Sequence, residues 1–338
     1  MSDISAFIRR LPKAELHLHL EGTILPATLV ELSARHDARP LTLDEAEALY
    51  RFENFSGFLE AFKAVTGRLT EPEDYELAAW RMMEHLARQG VVHAEVYISV
   101  GVIYRWRNHD PAALEPIIAG LERARERAAD ELGLSLYWIF DAVRHFPVEE
   151  AERVFRKAIE LKPKYPSIIG IGLGGDERRA ASEAFHELFT EAAQAGLRLT
   201  NHAGETTGSG AIWEALRIGS ERIGHALSAS QDSGLLLELK ERQTPLELNP
   251  TSNVRTGVCP SMAAHPLRDY FDRGLLVTLN SDDPAFFGSD LVQEYLLAHH
   301  EQGFTVHELR QLAVHSMRAS FLPEAEKARW IKQIDTIQ

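Results

Sequence analysis

Two histidines near the start of the chain are the first residues whose type and spacing could do chemistry. The segment from Leu11 to Gly22 reads LPKAELHLHLEG, and its histidines are His17 and His19. On a β-strand, residues i and i+2 point to the same face, so the two imidazoles would project together, whereas on a helix they would point nearly opposite ways. Paired imidazoles at the end of a strand are half of a metal site, and the rest of the chain must supply the other half.

Three later clusters also place ionisable residues at the ends of apolar runs. They are Thr200–Glu205 (TNHAGE), Arg222–Ala226 (RIGHA) and Leu279–Pro284 (LNSDDP). Taken alone, each cluster is more typical of a half-buried histidine or of a turn than of a functional site. Their joint occurrence at strand ends favours one shared site.

The imidazoles of His17, His19 and His202 with the carboxylate of Asp282 form an N3O ligand set. This set suits Zn²⁺, with Fe²⁺ and other late first-row metals as competitors. A metal with an open coordination position activates water, and Glu205, His225 and Asp283 remain for acid–base work and positioning. The pattern predicts metal-assisted hydrolysis of a small molecule.

The elements that must position these residues are short β-rich runs that alternate with helical patterns. Parallel strands joined by helical crossovers are expected from such alternation, and a count of eight favours a closed (β/α)8 TIM barrel, of class α/β, over an open doubly wound sheet. In a barrel, the carboxyl ends of the strands converge on one mouth. The predicted strands are 15–20, 91–99, 135–142, 168–173, 197–202, 222–225, 245–248 and 275–280.

A long helical insertion, roughly residues 24–90, separates the first two strands. Its predicted helices span 27–36, 43–49, 55–65 and 73–89. Insertions after barrel strands lie at the face where active sites form, so this one is either a lid or static packing over the mouth. The chain shows no repeat or linker, which predicts a single domain over 1–338.

Composition excludes several classes of function. The formal net charge of −14 argues against a nucleic-acid partner, because such proteins carry a basic face. Cys259 is the only cysteine, which excludes an intrachain disulfide, makes cysteine ligation of a metal improbable and suits a reducing compartment. With no signal peptide or membrane-spanning run in the sequence, we expect a cytoplasmic protein without a membrane partner. The oligomeric state is not predicted.

The motifs HLHLEG, HAGE, RIGHA, NPTSN and NSDDP, in this order, resemble the adenosine deaminase family of the amidohydrolase superfamily. The resemblance extends from Leu11 to beyond Asp290. It implies a (β/α)8 barrel with one Zn²⁺ per chain, deaminating a purine or purine nucleoside. The implied metal ligands are His17, His19, His202 and Asp282.

The resemblance also implies roles for the other motif residues. Glu205 matches the acid that protonates purine N1, and His225 matches the group that orients and stabilises the attacking hydroxide. Asp283 matches the residue that hydrogen-bonds N7, and Gly175 matches the glycine whose backbone donates to N3. Polynucleotide deaminases use a different zinc signature with a PCxxC element, which this chain lacks.

The motifs leave the substrate open. Glu21 stands where adenosine deaminases usually have an aspartate that contacts ribose, and adenine deaminases often show Glu there. The segments 250–254 and 287–291 are more similar to nucleoside branches, the second to the branch that acts on 6-aminodeoxyfutalosine, an adenosine with a 5′ aryl carboxylate extension. We therefore expect an adenosine-type nucleoside, with free adenine as the alternative.

A 5′ carboxylate would need a basic partner. Arg105, in the Tyr-Arg-Trp-Arg run from Tyr104 to Arg107, and Arg144 are the candidates, although Arg-Trp in a loop is also typical of surface packing.

Two other classes remain as alternatives. A metal-dependent phosphoesterase or lactonase on the same barrel would need a bridging ligand on the fourth strand, where the sequence has the glycine-rich run 170–175. Those glycines lie within the strand pattern rather than at a phosphate-binding turn. A catalytically inactive binding protein would not be expected to retain the whole set of metal and acid–base residues.

Overall fold

Eight parallel strands form a sheet in which each strand neighbours the next along the chain, from β1 to β8. The computed structural model describes residues 3–52, 55–107, 110 and 112–337. Every strand feeds a crossover that returns to the same edge, so all carboxyl ends meet at one face. The strands are β1 (Lys13–His19), β2 (Val91–Ile98), β3 (Ser135–Val143), β4 (Ile168–Gly174), β5 (Arg198–Ala203), β6 (Arg222–His225), β7 (Leu246–Leu248) and β8 (Val277–Leu279).

The sheet closes where the end of β8 meets β1. Leu18 forms a parallel bridge to Asp282. The backbone N–H of Asp282 donates to the carbonyl of His17 over 3.1 Å, and the N–H of His19 donates to the carbonyl of Asp282 over 3.0 Å. The prediction of a (β/α)8 TIM barrel is confirmed, and the predicted strands lie within a few residues of the observed ones.

Helices surround the barrel and bury their apolar faces against the outer side of the strands. They are α1 (Asp3–Arg10), α2 (Pro26–His36), α3 (Leu43–Ala48), α4 (Phe55–Thr66), α5 (Pro72–Arg88), α6 (Val100–Trp106), α7 (Leu114–Leu132), α8 (Val148–Leu161), α9 (His186–Gln194), α10 (Ser209–Arg217), α11 (Ser233–Arg242), α12 (Pro250–Arg255), α13 (Leu267–Asp272), α14 (Pro284–Phe287), α15 (Leu291–Gln302), α16 (Val306–Ala319) and α17 (Glu324–Thr336). Within the described ranges, no helix is both long and apolar enough to cross a membrane.

Helices α2 to α5 make up the predicted insertion between β1 and β2. Their bounds match the predicted helices closely, and residues 53 and 54 lie outside the described part of the chain. Helix α4 packs on α14 at the carboxyl face, where Phe58 and Phe62 lie with ring centroids 5.6 and 5.5 Å from that of Phe286. The insertion therefore lies beside the strand ends that carry the candidate site.

The inside of the barrel holds buried charges rather than a purely apolar core. Arg222 on β6 is 1% exposed, and its Nε lies 2.6 Å from a carboxylate oxygen of Glu247 on β7. Its Nη1 donates to Glu95 on β2. Because a buried guanidinium is tolerated only when it is paired, these two carboxylates compensate its burial.

Candidate metal centre and active site

Side chains from β1, β5 and the end of β8 converge on a single point. The Nε2 atoms of His19 and His202 lie 3.4 Å apart, and Asp282 Oδ1 lies 3.3 Å from His19 Nε2 and 3.5 Å from His17 Nε2. Ligands at the usual zinc distance of about 2.1 Å in tetrahedral geometry stand about 3.4 Å from one another. The donor atoms therefore have the spacing and chemistry that a zinc ion needs.

His17 is turned toward this point by a carboxylate on β7, two strands away around the barrel. Its Nδ1 lies 2.8 Å from Oε2 of Glu247, which also accepts a hydrogen bond from the hydroxyl of Tyr97 at 3.1 Å. The Nε2 atom of His17 is buried and has no hydrogen-bond partner in the described part of the chain. A carboxylate behind a histidine fixes its orientation and tautomer, which leaves Nε2 free to bind a metal.

Asp282 is held in an unusual backbone conformation. Its φ of 64° lies in the left-handed region, which residues other than glycine adopt at a cost of about 1 kcal/mol or more. The barrel-closing hydrogen bonds maintain it, and the hydroxyl of Ser252 on α12 donates to its Oδ2 over 2.6 Å. In this conformation Oδ1 of Asp282 faces His17 and His19.

Two of the proposed ligands, His17 and Asp282, favour their charged forms. Burial lowers the pKa of His17, but the nearby carboxylates of Asp282 and Glu247 outweigh it and raise the pKa to about 9. Burial raises the pKa of Asp282, but its interactions with His17 and His19 hold the pKa well below its usual range. A bound cation would replace these protons, because metal ligands must give up their protons.

His225 stands at the end of β6, and its neighbours determine which of its ring nitrogens carries the proton. The side-chain amide nitrogens of Asn253 and Asn249 lie 2.9 and 3.3 Å from its Nδ1. The Oδ1 atom of Asn253 faces the ring nitrogen of His265, so its amide group is the end that meets His225. Burial lowers the pKa of His225 to about 3, and the neutral ring therefore keeps its proton on Nε2.

Glu205 lies across from that proton, with Oε2 3.9 Å from His225 Nε2. Glu177 positions the loop that carries Glu205: its carboxylate accepts from the backbone N–H groups of Glu205, Thr206 and Thr207 at 3.3, 3.1 and 3.0 Å. Burial, followed by the charges of Asp282 and Glu177, raises the pKa of Glu205 to about 8. At neutral pH the carboxyl group is thus predominantly protonated and able to give a proton.

Three other predicted residues border the same space. Glu21, 2% exposed, accepts a hydrogen bond from the N–H of Ser99 at 3.1 Å. Its Oε2 and the Oδ1 of Asp283 are buried and lack a partner among the described residues. Gly175 follows β4 with φ of 88°, a conformation that favours glycine, beside His145.

The two arginine candidates have other partners. Arg144 is 1% exposed and donates to Asn201 Oδ1 at 2.7 Å and to the carbonyls of Leu173 and His202. These contacts tie β3, β4 and β5 together, and the substrate-binding role predicted for Arg144 stays a prediction. Arg105 is exposed, forms two hydrogen bonds to Glu150 at 2.9 Å and stacks on Phe146. Its predicted role stays a prediction.

Several residues that hold the site in place were not identified from the sequence. Asn249, Ser252 and Asn253 belong to the NPTSN motif, which contributes to the family resemblance but gave none of these residues a role. Glu247 is the central residue of an apolar strand, Leu-Glu-Leu. A charged residue in the middle of a short apolar strand was the available signal, because such a residue is buried only with a partner.

Comparisons with known proteins agree with this geometry. The family model described as Adenosine deaminase matches residues 12–337. An aminodeoxyfutalosine deaminase from Streptomyces coelicolor is 40% identical over 99% of this chain and 86% of its own length.

Two solved structures have the same architecture. An adenine deaminase from Arthrobacter aurescens is 31% identical, with a TM-score of 0.88 over 96% of this chain and 98% of that one. An amidohydrolase from Burkholderia ambifaria, solved with bound Zn, is 26% identical, with a TM-score of 0.89 over 100% of this chain and 94% of that one. With the family match spanning nearly all of its length, the chain belongs to the adenosine deaminase family.

Proposed function

We propose that this protein is a zinc-dependent hydrolytic deaminase that converts the 6-amino group of an adenosine-type nucleoside to a 6-oxo group and releases ammonia. The convergence of His17, His19, His202 and Asp282 on one point is the observation that carries the proposal, and the raised pKa of Glu205 agrees with it. Zinc, held by these four residues, would supply the Lewis acidity that activates a water molecule. One zinc per chain is proposed, because the inner face of β4 at this level presents only glycines.

Glu205 is proposed as the proton donor to purine N1. Adenine N1 is weakly basic, and a carboxyl group that burial keeps protonated at neutral pH can transfer its proton as C6 is attacked. The transfer makes C6 more electrophilic. The water contributes its oxygen to C6. One of its two protons leaves with the amino group as ammonia, and the other restores the proton that Glu205 gave to N1.

His225 is proposed to donate a hydrogen bond from Nε2 to the attacking oxygen. Its two asparagine partners donate to Nδ1, which keeps the proton on Nε2 and holds the ring in one orientation. Such a fixed donor stabilises the charge that develops in the transition state. Asp283 and the backbone N–H of Gly175 are proposed to hold N7 and N3 and so set the ring's orientation.

For the substrate, a 5′-extended nucleoside such as 6-aminodeoxyfutalosine is supported by the 40% identical Streptomyces coelicolor relative of that name. Free adenine is the second candidate, supported by the 31% identical Arthrobacter aurescens structure. Both alternatives use the same metal and acid–base residues. They differ in what must be bound beyond the purine ring.

The experiment that tests the proposal is a substrate panel on the zinc-loaded protein. Adenine, adenosine, 5′-methylthioadenosine and 6-aminodeoxyfutalosine are supplied separately, and the ultraviolet absorbance change and ammonia release are followed. We expect the highest kcat/KM on a nucleoside and one zinc per chain by elemental analysis. A dominant rate on adenine would overturn the nucleoside preference, and absence of turnover on all four would overturn the deaminase proposal.

A further inference from the structure

Asp141 on β3 is a buried carboxyl group without an assigned role. The residue is 4% exposed, and its Oδ1 is buried with no hydrogen-bond partner in the described part of the chain. A buried polar atom without a partner costs free energy, so its presence in a native protein calls for an explanation. Its neighbours indicate what that explanation is.

The glycines of β4 make room for this carboxylate. A Cβ atom on Gly172 would lie 2.7 Å from Asp141 Oδ1, and a Cβ on Gly174 would lie 2.8 Å from Oδ2. Real Cβ atoms do not approach oxygen so closely, so any larger residue at either position would displace the carboxylate. The glycine-rich run of β4 thus accommodates a side chain from β3 rather than a phosphate.

Asp141 lies near the carboxyl end of β3, at the level of the residue whose backbone binds Glu21. It follows the last pair of β2 and β3, Ile98 with Phe140, and so lies level with Ser99. The N–H of Ser99 holds Oε1 of Glu21 at 3.1 Å and leaves Oε2 of Glu21 buried without a partner within the described ranges. Two neighbouring carboxyl groups therefore each present an unused acceptor.

The electrostatics place Asp141 close to the metal centre as well. Burial raises the pKa of Asp141 to about 7, while the positive charges of His19 and His17 lower it and the charge of Glu21 raises it. The ring of Tyr97, which stacks on His19 with centroids 5.1 Å apart, packs at the same Gly172 position. Asp141 thus borders the space next to the metal ligands rather than the outer wall of the barrel.

Resting on the proposed nucleoside deaminase function, we propose that Asp141 is a further substrate-binding residue that, together with Glu21, accepts hydrogen bonds from the sugar hydroxyl groups of the nucleoside. A pair of acceptor groups needs a pair of donors, and adjacent hydroxyl groups of a ribose supply them. The purine ring itself has few donors away from the reacting amino group. The proposal therefore assigns Asp141 to sugar recognition and not to the chemical step.

The test compares the wild-type protein with Asp141→Asn, which keeps the size of the side chain and removes its charge. We expect the KM for ribonucleosides to rise about 10- to 100-fold with kcat within a few-fold, because an amide donor replaces one of the acceptor oxygens and leaves a substrate hydroxyl without its partner. Binding of inosine, measured by titration calorimetry, should weaken by the same factor without any turnover. Asp335→Asn, on the exposed face of α17, is the matched control.

The hydroxyl groups can also be removed from the substrate instead of from the protein. On wild-type protein, 2′-deoxy- or 3′-deoxyadenosine should show about a 10-fold or larger loss in kcat/KM, because the site's buried acceptors are left unpaired. Asp141→Asn should erase most of that discrimination. The measurement on wild-type protein tests the role of the hydroxyl groups even if the variant does not fold.

The outcomes separate the two proposals. A wild-type protein that turns over no nucleoside overturns the proposed function. Wild-type turnover of nucleosides with unchanged KM and unchanged inosine binding in Asp141→Asn overturns only the assignment of Asp141. A second equivalent of zinc that is present in the wild-type protein and lost in the variant would likewise overturn it, since Asp141 would then be a metal ligand.

Discussion

The Nδ1 atom of His17 lies 2.8 Å from a carboxylate oxygen of Glu247, a residue 230 positions further along the chain. This contact joins β1 to β7 through the middle of the barrel. It fixes which nitrogen of His17 faces the metal centre, and it places Glu247 between that histidine and Arg222.

Glu247→Gln should weaken metal binding. An amide in place of the carboxylate no longer fixes the tautomer of His17, and loss of such an outer partner typically costs about 10- to 100-fold in metal affinity. Zinc retention after dialysis against graded chelator concentrations measures the effect. Glu241→Gln, exposed on α11, is the control, and equal retention in both variants would contradict the prediction.

Glu205→Gln should abolish deamination and leave the metal in place. The variant has no proton to give to N1, and loss of a general acid typically costs about 10²- to 10⁴-fold in kcat. Steady-state rates and zinc content are measured together, with Glu187→Gln, exposed on α9, as the control. Undiminished turnover would refute the role, whereas parallel loss of zinc would show that the substitution damages the metal centre.

Protonation of Glu95 should lower the free energy of unfolding at acid pH. Burial raises the pKa of Glu95, but Arg222 and His93 outweigh it and lower the pKa from the ordinary 4.5 to about 2. Because the folded-state pKa is depressed, its stabilisation is fully present above pH 4.5 and is lost as the pH falls toward 2.

Urea unfolding of wild-type protein and Glu95→Gln at several pH values checks this. At pH 7 the variant should be less stable by about 3 kcal/mol or more, because a buried guanidinium loses a partner. The difference between the two proteins should shrink toward acid pH. A difference that stays constant from pH 6 to pH 3 would show that Glu95 does not titrate in this range.

Gly174→Ala should destabilise the protein through Asp141. The added Cβ would lie 2.8 Å from Asp141 Oδ2, and overpacking of this kind costs about 1–3 kcal/mol. In the double variant with Asp141→Ala, most of that loss should be recovered, because residues in contact are energetically coupled. Gly210→Ala, where a Cβ meets nothing within 4 Å, should be close to neutral. Additive effects in the double variant would contradict the contact.

The sequence was sufficient to predict the barrel because each strand and helix has its own local pattern. His17 and His19 could be paired from a two-residue spacing, and His202, His225 and Asp282 each end an apolar run. Strand order in a barrel then brings these ends together without further information. The local signals were strong, and the fold that connects them is regular.

Other parts of the site depend on register between distant strands, which no local pattern reveals. Glu247 meets His17, and Asp141 fills the space above Gly172, only because of how far each strand is staggered against its neighbours. Arg144 is a further example. Its place after β3 does not reveal that its side chain is buried and donates to acceptors on β4 and β5.

The closure of the barrel through Asp282 has a consequence for how the protein matures. The seam between β1 and β8 joins the first and last strands of the sheet, as in the hydrogen bond from the N–H of Leu16 to Asn280, 264 residues away. A chain emerging from the ribosome carries His17 and His19 long before Asp282 is synthesised. The four proposed ligands therefore first come together when the end of β8 docks on β1.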